Sequence, residues 1–249
     1  MTTTQSLKHL PSSTGRANPP WLRWLPLGAV AGPVLFTAGW VILGAVSPGY
    51  TVADTWISPY SAMTQPISGL GLGVTGPYMN SVFIISGALL LAGVIGIVLA
   101  LPPGGRRVTR IASSILLALS PVGLVIIGLF TLDSPAMHLL GAMLILATPV
   151  ISFLITGLHL RGLPGWRQLG NGLLVAAPLT LVLFVLYTGS FDQSAVAAGR
   201  GVAGLTQRLL FVDILTWFAA MGWLAYRRTP HQRQQAANTD CLLLWKEGL

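Results

Sequence analysis

The sequence predicts an all-α polytopic membrane protein, a bundle of six transmembrane helices with both termini on the cytoplasmic side (N-in/C-in). Three observations carry that expectation. Of 249 residues, 53% are hydrophobic and only 8% charged, whereas a soluble domain carries about a quarter charged residues. So few charges cannot clothe a folded surface for water. Six apolar stretches, at about 25–46, 78–101, 111–132, 136–158, 170–189 and 206–226, are long enough to cross a bilayer, because a helix rising about 1.5 Å per residue needs roughly 20 residues to span about 30 Å of hydrocarbon. The third observation is where the 14 Lys and Arg residues fall. Twelve lie in the tails and alternate connections on one side: Lys8, Arg16, Arg23, then Arg106, Arg107, Arg110, then Arg161, Arg167, then Arg227, Arg228, Arg233 and Lys246. Only Arg200 and Arg208 fall on the other. Basic connections stay cytoplasmic, so this bias sets the orientation and requires an even number of spans.

The same distribution disposes of a tempting reading of the net charge of +8. Nucleic-acid binding needs basic residues gathered on one face, and here they mark the ends of apolar runs. The runs are continuous rather than alternating, which favours helices over barrel strands.

Along the chain, residues 1–24 read as a basic cytoplasmic tail, 25–228 as the transmembrane domain, and 229–249 as a cytoplasmic tail expected to be disordered. Trp21 and Trp24 before the first span, with Trp223 and Tyr226 at the end of the last, suit an interfacial belt. The first span ends Ala45-Val46-Ser47, which resembles a signal-peptidase site. The apolar run exceeds the roughly 7–15 residues of a signal core, and Pro48 would follow the cut. We therefore expect it to be retained. Gly28 and Gly32 in the first span, and Ala88, Ala92 and Gly96 in the second, form faces of small residues that let helix backbones approach. Pro33, Pro121, Pro149 and Pro178 lie inside spans and are expected to kink them.

The non-cytoplasmic face holds the candidate chemistry. The first connection there, from Ser47 to Gly76, is long, free of Lys and Arg, and dense in hydroxyls and aromatics, with Ser68 near its end. Ordered loops of this length are often binding lids, although a passive cap fits as well. Between the third and fourth spans, Asp133-Ser134-Pro135 leads directly into a helix. Ser134 is placed to N-cap it and Pro135 to occupy its first position. Asp133 and His138 are close enough there for a carboxylate to orient an imidazole, or for the two merely to finish a helix end.

The last span begins Gly204-Leu-Thr-Gln207-Arg208 and carries Asp213. Its strongly apolar residues each favour insertion by about 0.3–0.6 kcal/mol, whereas a central Asp costs about 2.5–3.5 kcal/mol. Gain and cost nearly cancel, so Asp213 should face protein or water. We expect Thr206, Leu209, Asp213, Thr216 and Ala220 to form the inward stripe. Arg208 lies roughly 140° from Asp213 around the helix, so the carboxylate is expected to meet an Arg, a His or a hydroxyl from another span, with His138 and Arg200 as candidates.

Other chemistries lack their residues. A catalytic zinc takes about three protein ligands, yet only His138 is on the candidate face. His159 lies at the opposite end, and His9 and His231 are in the tails. Asp54, Asp133 and Asp192 follow no ligand spacing, and the single Cys241 builds neither a disulfide nor a thiolate site. No nucleophile elbow, phosphate loop or dinucleotide fingerprint occurs. No metal and no cofactor are expected.

Four motifs carry a family resemblance: Gly32-Pro33, Pro66-Ile67-Ser68-Gly69-Leu70, the Gly128-Leu-Phe-Thr-Leu-Asp133 to His138 hairpin, and Gly204-Leu-Thr-Gln207-Arg208. Over about residues 25–228 the chain resembles the bacterial family called "domain of unknown function 998". The resemblance implies a six-span membrane protein of bacterial type with no established activity; it adds no chemistry. The tail from Thr229 departs from that pattern.

The reading that follows is a non-catalytic protein of the bacterial cytoplasmic membrane, surrounded by lipid, with an outward-facing polar pocket that binds or passes a small or lipid-like ligand. Its expected lining is Ser68, Asp133, His138, Gln207, Arg208 and Asp213. One alternative is a membrane-embedded lipid hydrolase or transferase using Asp133 and His138 as an acid/base pair. Another is a scaffold whose polar groups only lock the bundle.

Overall fold

A computed structural model describes residues 20–52 and 54–246, with side chains from 21 to 228. Six of its helical stretches are long and apolar enough to cross a membrane: Trp21–Val46, Gly73–Ala100, Arg107–Leu129, Pro135–Arg161, Arg167–Ser190 and Ala203–Arg228. The chain is a multi-pass membrane protein. Lys8, Arg16, His9, His231, Arg233, Cys241 and Lys246 fall outside the described side chains, as does most of the expected N-terminal tail.

The first span opens with a 3-10 turn, Pro20–Leu27, and continues as α1, Gly28–Val46. It is followed by α2 (Gly76–Ala100), α3 (Arg107–Leu129), α4 (Pro135–Leu146), α5 (Thr148–Arg161), α6 (Arg167–Ser190), the short α7 (Gln193–Ala197) and α8 (Ala203–Lys246). The backbone of α8 stays helical past Arg228, with no break at the boundary that the composition suggested. Six spans bring both ends of the bundle to one side, the arginine end. There the Arg23 guanidinium lies over Trp24 at 4.6 Å and Arg228 over Trp166 at 4.8 Å, and Trp24 stacks on Tyr226.

Small residues set the helix spacing, but not all of those expected. A Cβ on Gly32 would sit 2.7 Å from the Ser86 carbonyl, and one on Gly93 would overlap the backbone of Ala29. Ala88 points outward, so the stripe on α2 is Ser86, Gly93 and Gly96 instead. Two reciprocal pairs repeat the device. A Cβ on Gly123 would lie 2.6 Å from the Gly141 carbonyl, joining α3 to α4, and one on Gly157 would lie 2.9 Å from the Gly170 carbonyl, joining α5 to α6. Where apolar burial gives helices no reason to associate in lipid, such close backbone packing does.

The fourth span is broken. Pro149 cannot donate to the Ile145 carbonyl, the helix is interrupted at Ala147, and α4 and α5 continue on either side. The Thr148 hydroxyl turns back to the Leu144 carbonyl and lies 3.4 Å from Ser120 Oγ, so hydroxyls of α3 and α5 stand beside the polar backbone of the break. The break has a consequence for packing. Below it α5 lies tightly against α6, whereas above it α4 stays with α3 and barely touches α6.

The connection after α1 is ordered and seated on the end of the bundle opposite the arginines, here the loop end. Strands β1 (Tyr50–Val52) and β2 (Thr55–Ile57) pair antiparallel, Tyr50 opposite Ile57. The chain then descends through Tyr60 and Gln65 to a 3-10 turn, Ile67–Gly71. Gln65, Ile67 and Leu70 are almost completely buried. Within the loop, Gln65 Oε1 accepts from the Ser61 amide at 3.2 Å and its Nε2 donates to the Pro59 carbonyl at 3.1 Å.

Candidate functional site

The loop is fastened by the first turns of α8. Gly204 has no side chain, so the carbonyls of Ala62 and Gln65 approach its Cα more closely than any Cβ allows. One turn on, Arg208 is 6% exposed. Its Nη1 donates to the carbonyls of Ala62 (2.7 Å), Gln65 (3.0 Å) and Gly204 (2.7 Å), and its Nη2 donates to the Tyr60 hydroxyl. The Trp40 ring lies 5.2 Å from the guanidinium carbon. Among the described residues no carboxylate pairs with Arg208; backbone dipoles and ring faces hold the charge. Burial pushes the Tyr60 hydroxyl above the ordinary tyrosine range, against the pull of Arg208, so the phenol stays neutral and also donates to the Pro66 carbonyl at 3.4 Å. The Leu205 amide donates to the Met63 carbonyl at 3.0 Å and completes the seat.

Gln207 points a different way. Its Oε1 accepts from the Ile67 amide at 2.7 Å, capping the 3-10 turn of the loop, and its Nε2 donates to the Tyr187 hydroxyl on α6 at 3.2 Å. Beneath this bridge lies a cavity of about 300 Å³ whose polar lining is Ser68, His138, Tyr187 and Gln207 against a mostly apolar wall. Upward it meets a recess of about 230 Å³ between β1, β2 and α7, with Ser68, Leu132, Pro135 and Phe191 common to both. Sideways it meets a recess of about 200 Å³ between α4 and α6, which shares Leu139, Ala142, Leu146, Tyr187 and Phe191. The break at Ala147 accounts for that side gap.

Of the expected lining, then, Ser68, His138 and Gln207 meet at one cavity, and Asp133, Arg208 and Asp213 do not. Asp133 is exposed, and its carboxylate accepts from the Thr131 hydroxyl at 3.0 Å. His138 is nearly buried, and its Nδ1 lies 2.9 Å from the Phe130 carbonyl. A carbonyl only accepts, so Nδ1 carries the proton. The imidazole is thus oriented by backbone rather than by Asp133. Ser134 takes the N-cap position with Pro135 after it, but its side chain makes no capping bond.

Asp213 corrects the inward stripe. The buried face of α8 is Gln207, Leu210, Phe211, Ile214, Phe218 and Met221, while Leu209 and Thr216 are exposed. Asp213 lies on the flank facing α6. It accepts from the Thr180 hydroxyl at 2.6 Å and from the Trp217 indole at 3.3 Å. The partner on another span is thus a hydroxyl, one of the three expected kinds, and neither His138 nor Arg200. The carboxylate is sheltered by protein, as the insertion arithmetic demands, but by the helix beside it and not by the cavity.

Sequence reasoning passed over Tyr187. Near the end of a span it reads as an interfacial aromatic, and only the side gap turns it toward the cavity. Among the described residues no three His, Cys, Asp or Glu side chains stand together where a metal would bind.

Residues 30–224 match the model of the family described as "Protein of unknown function (DUF998)", and the chain belongs to that family. No curated protein and no solved structure gives a significant match.

Proposed function

We propose that this member of the family is a non-catalytic membrane protein that holds an amphiphilic ligand in the cavity beneath the loop, in a bacterial cytoplasmic membrane and with the arginine end facing the cytoplasm. One observation carries the reading: polar groups of Ser68, His138, Tyr187 and Gln207 converge on a cavity that reaches the loop-end surface on one side and the lipid-facing gap between α4 and α6 on the other. Convergent polar groups in an apolar pocket are the usual form of a small-molecule site. A side opening in addition suits a ligand that arrives from the bilayer. The acid/base reading finds no comparable support, because Asp133 and His138 make separate hydrogen bonds.

Mass spectrometry of lipids retained by the purified full chain tests this. The wild type is expected to keep a lipid that is lost from His138→Ala and from Ala142→Trp, the second of which fills the gap with an indole. Identical lipid profiles in all three proteins would overturn the proposal.

A further inference from the structure

We infer that the cavity selects amphiphiles whose head is uncharged and carries a hydroxyl, the class of diacylglycerols and long-chain alcohols, and rejects phospholipid heads. The inference rests on the pocket reading above and adds the ligand's chemistry to it. Among the described residues no Asp, Glu, Lys or Arg lines the cavity or either adjoining recess. Arg208, next to Gln207 on α8, has both terminal nitrogens committed to the loop and to its own helix. A phosphate drawn under the loop would lose its water and meet no counter-charge, a penalty that hydrogen bonds from neutral groups do not offset.

The neutral groups instead present what an alcohol needs. With the His138 proton on Nδ1 and given to the Phe130 carbonyl, Nε2 keeps its lone pair, makes no hydrogen bond among the described residues and is not sealed off. It accepts from an O–H. The Tyr187 oxygen receives Gln207 Nε2, which leaves its own proton free to donate to a carbonyl or ether oxygen. The Ser68 hydroxyl makes no hydrogen bond among the described residues, and Ser68 lines both the cavity and the upper recess, so it serves either role.

The wall beneath these groups suits the same class. His138 lies one turn into α4, and from there to Leu146 the α4 lining of the cavity is Leu139, Ala142 and Leu146, an apolar run of about 12 Å at 1.5 Å per residue that fits an acyl chain. Leu139 and Met143, both well exposed on the outer side of the gap, then offer an apolar path for the chain into the bilayer.

The test uses the full chain in lipid nanodiscs with two photoactivatable, clickable probes of identical acyl chains, a diacylglycerol and a phosphatidic acid, and maps labelled peptides by mass spectrometry. Diacylglycerol is expected to label α4 and α6 saturably and to be displaced by unlabelled diacylglycerol. Phosphatidic acid should label at least about tenfold less. His138→Phe and Ser68→Ala should each lower the diacylglycerol signal several-fold; Ser68→Ala removes no bond that the fold uses, which guards against a folding defect in the first variant. Equal saturable labelling by phosphatidic acid would overturn the head selectivity and leave the pocket standing. Saturable labelling by neither probe would overturn the pocket as well. Unchanged labelling in both variants would overturn the assigned head contacts.

Discussion

Replacing Arg208 by Leu should release the loop while leaving the bundle folded. In the native structure Nη1 is the hydrogen-bond partner of the Ala62 and Gln65 carbonyls, and the Gly204 carbonyl that it also meets belongs to the helix. The substitution therefore strips two loop carbonyls. A buried carbonyl left unpaired costs about 1–3 kcal/mol, so the gross loss is about 2–6 kcal/mol. Part is returned, because the variant no longer holds a cation beside hydrocarbon without a carboxylate. A net of about 2–3 kcal/mol raises the population of the open loop about 30- to 150-fold. Hydrogen exchange reads this directly at the Leu205 amide, whose bond to the Met63 carbonyl joins α8 to the seated loop. Arg208→Lys should fall between, since an ammonium reaches the carbonyls but not the Tyr60 hydroxyl as well. Exchange at the Leu205 amide within about threefold of wild type in Arg208→Leu would refute the argument, and would mean that buried Ile67 and Leu70 seat the loop unaided.

Three further outcomes follow from other parts of the structure. Gly123→Val places a branched side chain where a Cβ already lies 2.6 Å from the Gly141 carbonyl; it should cost about 1–3 kcal/mol and lower Tm by several degrees, whereas Gly189→Ala, which meets nothing within 4 Å, should leave Tm unchanged or slightly higher. The exposed Asp192 carboxylate accepts from the Ser194 amide and hydroxyl and from the Ala195 amide, which holds its pKa below the usual carboxylate range. A group with a depressed folded pKa stabilises at pH values above its unfolded pKa, and that contribution fades as pH falls through the folded one. Amide protection at Ser194 should therefore persist near neutrality, decline below the ordinary carboxylate pKa, and be absent at every pH in Asp192→Ala. In a Cys241→Ser background, a membrane-impermeant maleimide added to intact cells should label Ala198→Cys at the loop end and not Pro103→Cys at the arginine end; the reverse pattern would invert the proposed orientation.

Hydropathy and charge made the spans legible because the first is a property of one segment alone and the second marks the ends of each. All six helical stretches run, within a few residues, where the apolar runs do. The sixth lies in α8, whose helical backbone continues past it to Lys246. The break at Ala147 was legible only in part. Pro149 announced a kink, but the direction of the bend depends on which neighbour grips each half, and the glycines that decide it, Gly141 with Gly123 and Gly157 with Gly170, belong to different helices.

The cavity was legible as a set of residue types and not as a grouping. The insertion cost of Asp213 requires that the carboxylate be sheltered, and the sequence expectation equates shelter with the interior, taking the stripe through Thr206, Leu209, Asp213, Thr216 and Ala220 for the inward face. The structure separates two ways of sheltering polarity. Thr216 returns its hydroxyl to a carbonyl of its own helix, Thr206 does so to Ala203 and also meets the Ser190 hydroxyl at the end of α6, and Asp213 is met by Thr180 on the adjacent helix; none of the three requires a cavity. Gln207 differs because its side chain takes one partner from the loop and one from α6, so it bridges two elements that would otherwise close on each other. A polar side chain bonded to its own helix settles its own solvation and stops there. One strung between two separate elements props them apart, and the space beneath it, bordered by His138 and widened by the bend of α4, is where this fold has room for something that is not protein.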